Sequence, residues 1–473
     1  MIKLTENAEA QRVFDIFEEI SAIPRGSGNT AKIADYLEDF AKARSLEYYR
    51  DSADNVIIKK PATEGLADRP TVILQGHTDM VLQAASGSVA LMEKEGVKIV
   101  VDGDFIRADG TTLGADNGIA VAYALAILDS KNIAHPNIEA VFTSDEEIGL
   151  IGAAALDCSK LEGKIMLNID SDEEGVFTAG CAGGRRVDIT LPVSFDSASA
   201  EKYTLILDGL KGGHSGVEID KGRTNAAKRI AEYLSNIEGV RLVSLSGGVA
   251  DNAIPASASA EFVCSLDMNA LFALTDRIKS ELPADAEHET LTLLKGGVAE
   301  QALTEEDSKR LISLICALPC GIVNMSEDIE GQVETSLNLG ILRLSESEAA
   351  ISFSLRSSKE AKKQTLSEEV EKIARSFGAE VSTHGDYPGW DYKKESLLRE
   401  AISKVYFEKY NTEAKIITIH AGLECGIFSD KIEGLDCISM GPTAYDIHTP
   451  EERLSIPSAV RVFEFITELI KNI

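Results

Sequence analysis

The sequence is short of basic charge. Its 47 Lys and Arg stand against 77 Asp and Glu, a net charge of −30. That deficit argues against nucleic acid and against an anionic membrane as partners, because both are held through cationic side chains. Long apolar runs are missing as well. No stretch approaches the roughly 20 apolar residues of a membrane span. The opening Met1-Ile2-Lys3-Leu4-Thr5-Glu6 has no apolar core of the kind a secretory signal needs. The seven cysteines are scattered without a Cys-x-x-Cys, and Cys316 and Cys320 lie four apart in an apolar helical run. An odd, unpatterned set argues against a disulfide framework and against zinc held by sulfur. Buried free thiols in a reducing compartment are expected, and with them a cytoplasmic setting.

What is there is long and ordinarily apolar. At 473 residues and 44% hydrophobic the chain exceeds what one core usually holds, so two domains are expected. Residues 7–22 and 29–45 have helical period, broken by Ile23-Pro24-Arg25-Gly26-Ser27-Gly28. Asn55–Ile58, Val72–Leu74, Ile138–Thr143 and Lys164–Ile169 read as strands, Lys98–Ile106 as a hairpin and Ile119–Asp129 as an apolar helix. Alternation of strand and helix predicts an α/β domain built on a mixed, mostly parallel sheet. From about residue 186 the texture becomes that of an α+β domain. Strands are expected over 203–209, 241–248, 257–265, 289–295, 333–343 and 350–356, and helices over 224–237, 269–281, 305–318 and 359–377. These form two strand-helix-strand-strand groups, 186–285 and 286–382, without a residue-level repeat. The α/β texture then returns, with helices over 395–409 and 456–471 and strands over 414–419 and 435–440. The first domain is therefore expected to be discontinuous, 1–185 and 383–473, with 186–382 inserted.

In parallel sheets, sites form at the carboxyl ends of strands. Three strand ends here carry polar clusters: His77-Thr78-Asp79, Asp145-Glu146-Glu147 and Asp170-Ser171-Asp172. His-x-Asp alone is weak, being more often a loop or a satisfied core histidine, but an imidazole ligand does need a partner on its second nitrogen. Asp116, in Gly114-Ala115-Asp116-Asn117-Gly118, is open between two readings: a helix N-cap, or a carboxylate whose two oxygens bridge two cations. Three acidic residues in a row are unfavourable unless solvated or neutralised, and Gly149 and Gly152 would let that turn approach the sheet. His448 follows another strand end. Two His and three carboxylates make a nitrogen/oxygen set that suits zinc, or cobalt or manganese, better than calcium or magnesium. Two such ions sharing Asp116 would lie about 3.5–4 Å apart, polarise a carbonyl and lower the pKa of a bridging water towards ~7. A free Glu beside them could move the proton to a leaving amine.

These motifs resemble those of the co-catalytic di-zinc metallopeptidase family, which includes carnosinases, glutamate carboxypeptidase and acetylamino-acid deacylases. The resemblance spans nearly the whole chain and makes the inserted domain the family's lid. It implies that His77, Asp116 and Asp170 bind one metal, and that Asp116, Glu147 and His448 bind the other. It makes Glu146 the general base and Asp79 the residue that orients His77, and it implies a cis peptide at Asp116-Asn117. In the lid, Gly212-Gly213-His214-Ser215-Gly216 resembles the segment whose His donates to the developing oxyanion. Asn252 and Arg356 resemble groups that hold the substrate carboxylate, Arg356 as a bidentate fork. Without the resemblance, His214 would read as a turn histidine and Arg356 as a surface residue of an edge strand. His420-Ala421-Gly422-Leu423-Glu424-Cys425-Gly426 resembles the Gly-rich substrate loop. There the Gly422 backbone would bind carboxylate, and Glu424 would meet a free α-ammonium.

The large insert, Asp rather than Glu at position 170, and the 420–426 loop most resemble the bacterial dipeptidase branch that cleaves aminoacyl-histidine dipeptides. A cytoplasmic metallo-dipeptidase with two divalent metals follows from that resemblance. The alternatives are a deacylase of N-acyl amino acids and a non-catalytic metal- or peptide-binding protein, and the latter would be expected to lack a ligand, Asp79 or Glu146. The lid either pairs two chains in a homodimer or forms a pseudo-dimer within one.

Overall fold

Val72–His77, Ile138–Thr143 and Ile165–Asn168 become adjacent parallel strands, with the first between the other two. Val72–His77 and Ile138–Thr143 are buried along their whole length, which is why they read as continuous apolar runs rather than alternating ones. The computed structural model describes residues 3–85, 87–279 and 290–473. Its chain divides into two units. Unit one is Met1–Cys181, Trp390–Thr418 and Leu423–Ile473; unit two is Ala182–Gly389 and Ile419–Gly422.

The first unit holds an eight-stranded mixed sheet. Asp436–Ser439 extends the parallel centre beside Ile165–Asn168, and Val56–Lys60 and Val176–Cys181 join antiparallel on either side. Helices Ala8–Ser21, Ala115–Asp129 and Ile456–Asn472 share one apolar core with this sheet, through residues such as Phe17, Ile119, Leu125 and Phe463. The middle helix is apolar all round, as a helix buried on every side must be. The hairpin Ile99–Asp102/Phe105–Ala108 forms as expected and joins Arg453–Ser455 and Ala444–Tyr445 in a small sheet. That sheet fixes both ends of the loop carrying His448. The seven cysteines are free thiols. Among the described residues, no helix is long and apolar enough to cross a membrane.

The second unit is built on one nine-stranded sheet whose recorded pairings are antiparallel. It contains the same β-α-β-β-α-β arrangement twice. One copy is Phe195–Asp208, helix Ala226–Leu234, Arg241–Gly247, Ala258–Val263, helix Met268–Lys279 and Thr290–Leu303. The other is Gly183–Pro192, helix Glu305–Ala317, Val333–Leu344, Glu348–Ser357, helix Glu360–Ser376 and Glu380–Tyr387. In the sheet, each copy's first strand lies between its third and its last. The copies meet where Ser246 pairs Arg343 and Gly247 pairs Leu342.

The expectation of two successive groups, 186–285 and 286–382, is corrected. The first copy is nested inside the second, after the second's opening strand. Thr304 N–H donates to Ser194 O at 3.0 Å, so the two ends of the nested segment meet. Period-2 alternation marks a strand but not its partner, which is why the nesting is invisible locally. The strand Glu380–Tyr387 pairs with Gly183–Pro192, so residues 183–185 and 383–389 lie in the second unit rather than the first, as do 419–422. Residues 280–281 of the expected helix, 289 of the expected strand, the 285/286 boundary and Met1-Ile2 lie outside the described residues.

Candidate metal centre

His77 is the last residue of the central parallel strand, and its ring is buried. Its Nδ1 lies 3.1 Å from the Asp79 carbonyl oxygen and 3.3 Å from Asp79 Oδ1. Those two acceptors hold a proton on Nδ1 and turn Nε2 towards Asp116 Oδ1 at 3.1 Å and Asp170 Oδ1 at 3.4 Å. The other Asp116 oxygen, Oδ2, lies 3.2 Å from His448 Nε2, which is 3.0 Å from Glu147 Oε1. Asp116 thus stands between two imidazoles, one at each oxygen. His77–Asp116–Asp170 and Asp116–Glu147–His448 each bring ligand atoms within 4.8 Å of one another. Glu146 Oε2 is 3.9 Å from His77 Nε2. Asp116 and Asn117 have non-helical φ/ψ at the start of the helix, and both side-chain oxygens of Asp116 are turned to imidazoles rather than to the helix's first N–H groups, which favours the bridging reading over the N-cap. The Asp116–Asn117 peptide is cis.

Several residues that local sequence did not single out hold this arrangement. Buried Glu452 accepts the backbone N–H groups of Leu113, Gly114, Ala115 and Asp116 at 2.7, 3.0, 2.8 and 3.4 Å, pinning the turn that presents Asp116. Arg25 is equally buried. It donates to Thr78 O at 3.0 Å and to Gly114 O at 2.5 Å, tying the His77 loop to the Asp116 loop. Burial lowers its guanidinium to about 10. Asn117 accepts from His77 N–H at 3.1 Å and donates to Ile169 O at 2.6 Å, so one side chain spans two ligand-bearing strand ends. This contact needs Gly76, where a Cβ would collide with the Asn117 amide oxygen and Ala120. Asp79 also accepts from Ser27 Oγ at 2.8 Å and from Glu146 N–H at 3.0 Å, which locks the acidic turn to the His77 loop. Gly152 does let that turn lie close to the sheet, since a Cβ there would strike the Ser144 carbonyl; around Gly149 there is open space.

The charges are out of balance. Among the described residues, the ion pairs of Asp116, Glu146, Glu147 and Asp170 are with His77 and His448. Burial pushes the Glu146 carboxyl well up, helped by the like charges of Asp170, Glu424 and Glu147. Burial also raises Asp170 and Glu147. Asp116 goes the other way, because hydrogen bonds from both imidazoles outweigh its burial. Asp116 and Glu147 hold the His448 proton up to about 10. A crowd of buried carboxylates with two imidazoles and no thiolate is what divalent cations would neutralise, and the donors fit zinc, cobalt or manganese.

The model of peptidase family M20/M25/M40 matches residues 73–472, which include each of these candidate ligands and Glu146. The chain belongs to this family. It is 36% identical to the cytosol non-specific dipeptidase of Escherichia coli (strain K12), over 98% of both chains. The crystal structure of the aminoacylhistidine dipeptidase from Vibrio alginolyticus superposes with a TM-score of 0.92 at 34% identity, covering 100% of this chain and 98% of that one. Aminopeptidase PepT from Bacillus cereus shares the fold, with a TM-score of 0.57, 17% identity and 98% coverage of both chains.

The second unit of this M20 peptidase holds His214, Asn252, Arg356 and Gly422. His214 and Asn252 become neighbours because Gly213–His214 pairs with Ala253–Ile254 and Ser215 N–H donates to Asn252 O at 2.8 Å. The N–H groups of Gly216 and Val217 point at His214 Nδ1 at 3.1 and 3.2 Å, which leaves the proton on Nε2. Burial, then the charge of Arg356, keeps that ring neutral by lowering its pKa. Arg356 is not on an edge strand. It is buried in Glu348–Ser357, between two other strands, and donates to Tyr387 Oη at 3.0 Å. Gly422 packs on the Tyr387 ring, where a Cβ would strike it. His420 bonds to Ser336 Oγ at 2.8 Å, and burial drives it down to about 3. Tyr387 and Ser336 carried no sequence signal. Glu424, placed on the same loop, lies instead in the first unit. It is wholly buried, with Oε2 accepting from Gln75 and Thr143.

Proposed function

We propose that this peptidase hydrolyses the peptide bond of unblocked dipeptides, Xaa-His among them, in the cytoplasm, using two divalent cations, zinc foremost and cobalt or manganese as substitutes. His77, Asp116 and Asp170 would hold one, and Asp116, Glu147 and His448 the other. The observation that carries this reading is the Asp116 carboxylate, with one oxygen 3.1 Å from His77 Nε2 and the other 3.2 Å from His448 Nε2. The names of the full-length relatives from Escherichia coli and Vibrio alginolyticus support a dipeptide substrate.

When bound, the cations polarise a carbonyl and acidify water. The chain supplies the rest. Glu146, with its carboxyl raised by burial, takes a proton from the attacking water and returns it to the leaving amine. Asp79 keeps the His77 proton on Nδ1 so that Nε2 stays a donor of electrons. His214, protonated on Nε2, donates to the oxyanion as it forms. Asn252, Arg356 and the Gly422 N–H hold the substrate carboxylate.

Dialysis against a chelator should abolish cleavage of an unblocked dipeptide, and zinc, cobalt or manganese should restore it. Turnover that survives complete metal removal would refute the reading. A panel of Xaa-His, Xaa-Xaa and N-acetylated dipeptides tests the substrate. Equal rates for blocked and unblocked peptides would identify a deacylase instead.

A further inference from the structure

Glu424 is a wholly buried carboxyl that the reaction does not use, and it is surrounded by strand ends. Its Oε2 accepts from Gln75 Nε2 at 2.5 Å and from Thr143 Oγ1 at 2.8 Å. Gln75 Nε2 also reaches Thr143 Oγ1 at 3.2 Å, and Gln75 Oε1 accepts from Asn168 Nδ2 at 2.5 Å. Asn168, Gln75, Glu424 and Thr143 thus form one hydrogen-bonded chain across three adjacent parallel strands. Its members recur at one offset. Gln75 lies two residues before His77, Asn168 two before Asp170, and Thr143 two before the turn Asp145-Glu146-Glu147. Gln75 and His77 lie on one strand and share a face, while Thr143 and Asn168 are the last residues of their strands, so this polar layer sits directly beneath the residues proposed as ligands.

The layer is not there for packing alone. Glu424 Oε1 and Asn168 Oδ1 are buried and have no hydrogen-bond partner among the described residues. Burying such atoms is costly, and an apolar side chain of similar volume would fill the space at less expense. We infer that Glu424 is a positioning residue, whose carboxyl ties the Gln75 and Thr143 strand ends together and through Gln75 to Asn168, and so fixes where His77, Asp170 and the Glu146–Glu147 turn stand. The inference rests on the two-metal reading above and gives that centre its floor.

Glu424→Ala and Glu424→Gln are compared with the parent enzyme for circular dichroism, zinc stoichiometry and Kd by chelator competition, and kcat and KM on an unblocked dipeptide at saturating zinc. Support partners of metal ligands are typically worth 10–100-fold in affinity or activity. Glu424→Ala is therefore expected to stay folded, to bind zinc about 10–100-fold more weakly and to lose kcat on the same order, with KM little changed. Glu424→Gln keeps an oxygen acceptor for both donors and is expected to recover most of both losses. An alanine variant with parental zinc affinity and kcat would overturn the proposal. A rise in KM alone would also overturn it and would return Glu424 to the substrate's ammonium. Should the alanine variant not fold, Thr143→Val removes one donor without changing shape. It is then expected to weaken zinc binding severalfold, and parental affinity in that variant would overturn the proposal. A parent that binds no metal would overturn the two-metal reading and this proposal with it, whereas a parent and an alanine variant that bind two metals equally well overturn only the proposal.

Discussion

At the scale of single residues, the centre is organised by Asp116, because each of its oxygens already has an imidazole waiting. In the metal-free chain those imidazoles stand in for cations. Asp116 and Glu147 hold the His448 proton up to about 10, against an ordinary value of 6.5. A metal ion at Nε2 must displace that proton. Zinc affinity is therefore expected to fall by about tenfold per pH unit from pH 9 to pH 7 through His448 alone, following one displaced proton. Chelator competition at several pH values measures it, and an affinity flat across that window would contradict the geometry. The same shift gives the metal-free fold a stabilising contribution that is complete below the unfolded value of about 6.5 and is lost as pH rises to about 10; the ring is half-exposed, so solvent screens its size. Glu146 makes a separate prediction. Glu146→Gln should retain both metals by elemental analysis while kcat falls by about 10²–10⁴-fold. Unreduced turnover would remove Glu146 from the reaction.

At the scale of elements, His77, the 145–147 turn and Asp170 sit at or just past strand ends, and the loops between are held by buried charged groups. Glu452 is the clearest case, one carboxylate capping four backbone N–H groups of the Asp116 turn. Glu452→Gln keeps the shape and removes the charge. Hydrogen bonds to an ionised group are worth about 1.5–3 kcal/mol each, and several weaken together, so a loss of about 3 kcal/mol or more in stability is expected, with weaker metal binding. Thermal unfolding with and without zinc reads both; an unchanged Tm and zinc affinity would show that the turn holds itself. This level also marks where the sequence stops being legible. His77, the 145–147 turn and Asp170 could be found because each follows a run of buried β-formers, a local signal. Glu452 could not. It sits in Thr449-Pro450-Glu451-Glu452, a surface-like loop, and its partners lie more than 330 residues away. Arg25 and Asn117 are hidden for the same reason, since buried charge and amide groups are justified only by long-range contacts. Glu424 was legible as a polar residue of a Gly-rich loop, but its burial beneath the strand ends was not.

At the scale of the whole chain, the nested lid is the feature with the most testable consequence. Insertion of one β-α-β-β-α-β copy after the first strand of another leaves residues 194 and 304 hydrogen-bonded at the point of entry. Excising 195–303 therefore joins ends that already meet and leaves every strand and helix of the outer copy in place. The excision strands the edge that Arg241–Gly247 had covered on Val333–Leu344, and it exposes part of a shared apolar core that includes Leu337, Leu339 and Leu342. Lower solubility and a lower Tm for that unit are expected. The proposed metal ligands, Glu146, Arg25, Asn117, Glu424 and Glu452 all lie in the first unit, which has its own core. The shortened chain should therefore still bind two zinc ions per molecule with parental affinity, while dipeptide cleavage disappears along with His214 and Asn252. Zinc stoichiometry by elemental analysis and a dipeptide assay separate the two outcomes. Loss of zinc binding in a soluble shortened chain would mean that the centre depends on the lid for its assembly; retained turnover would mean that neither His214 nor Asn252 takes part in the reaction.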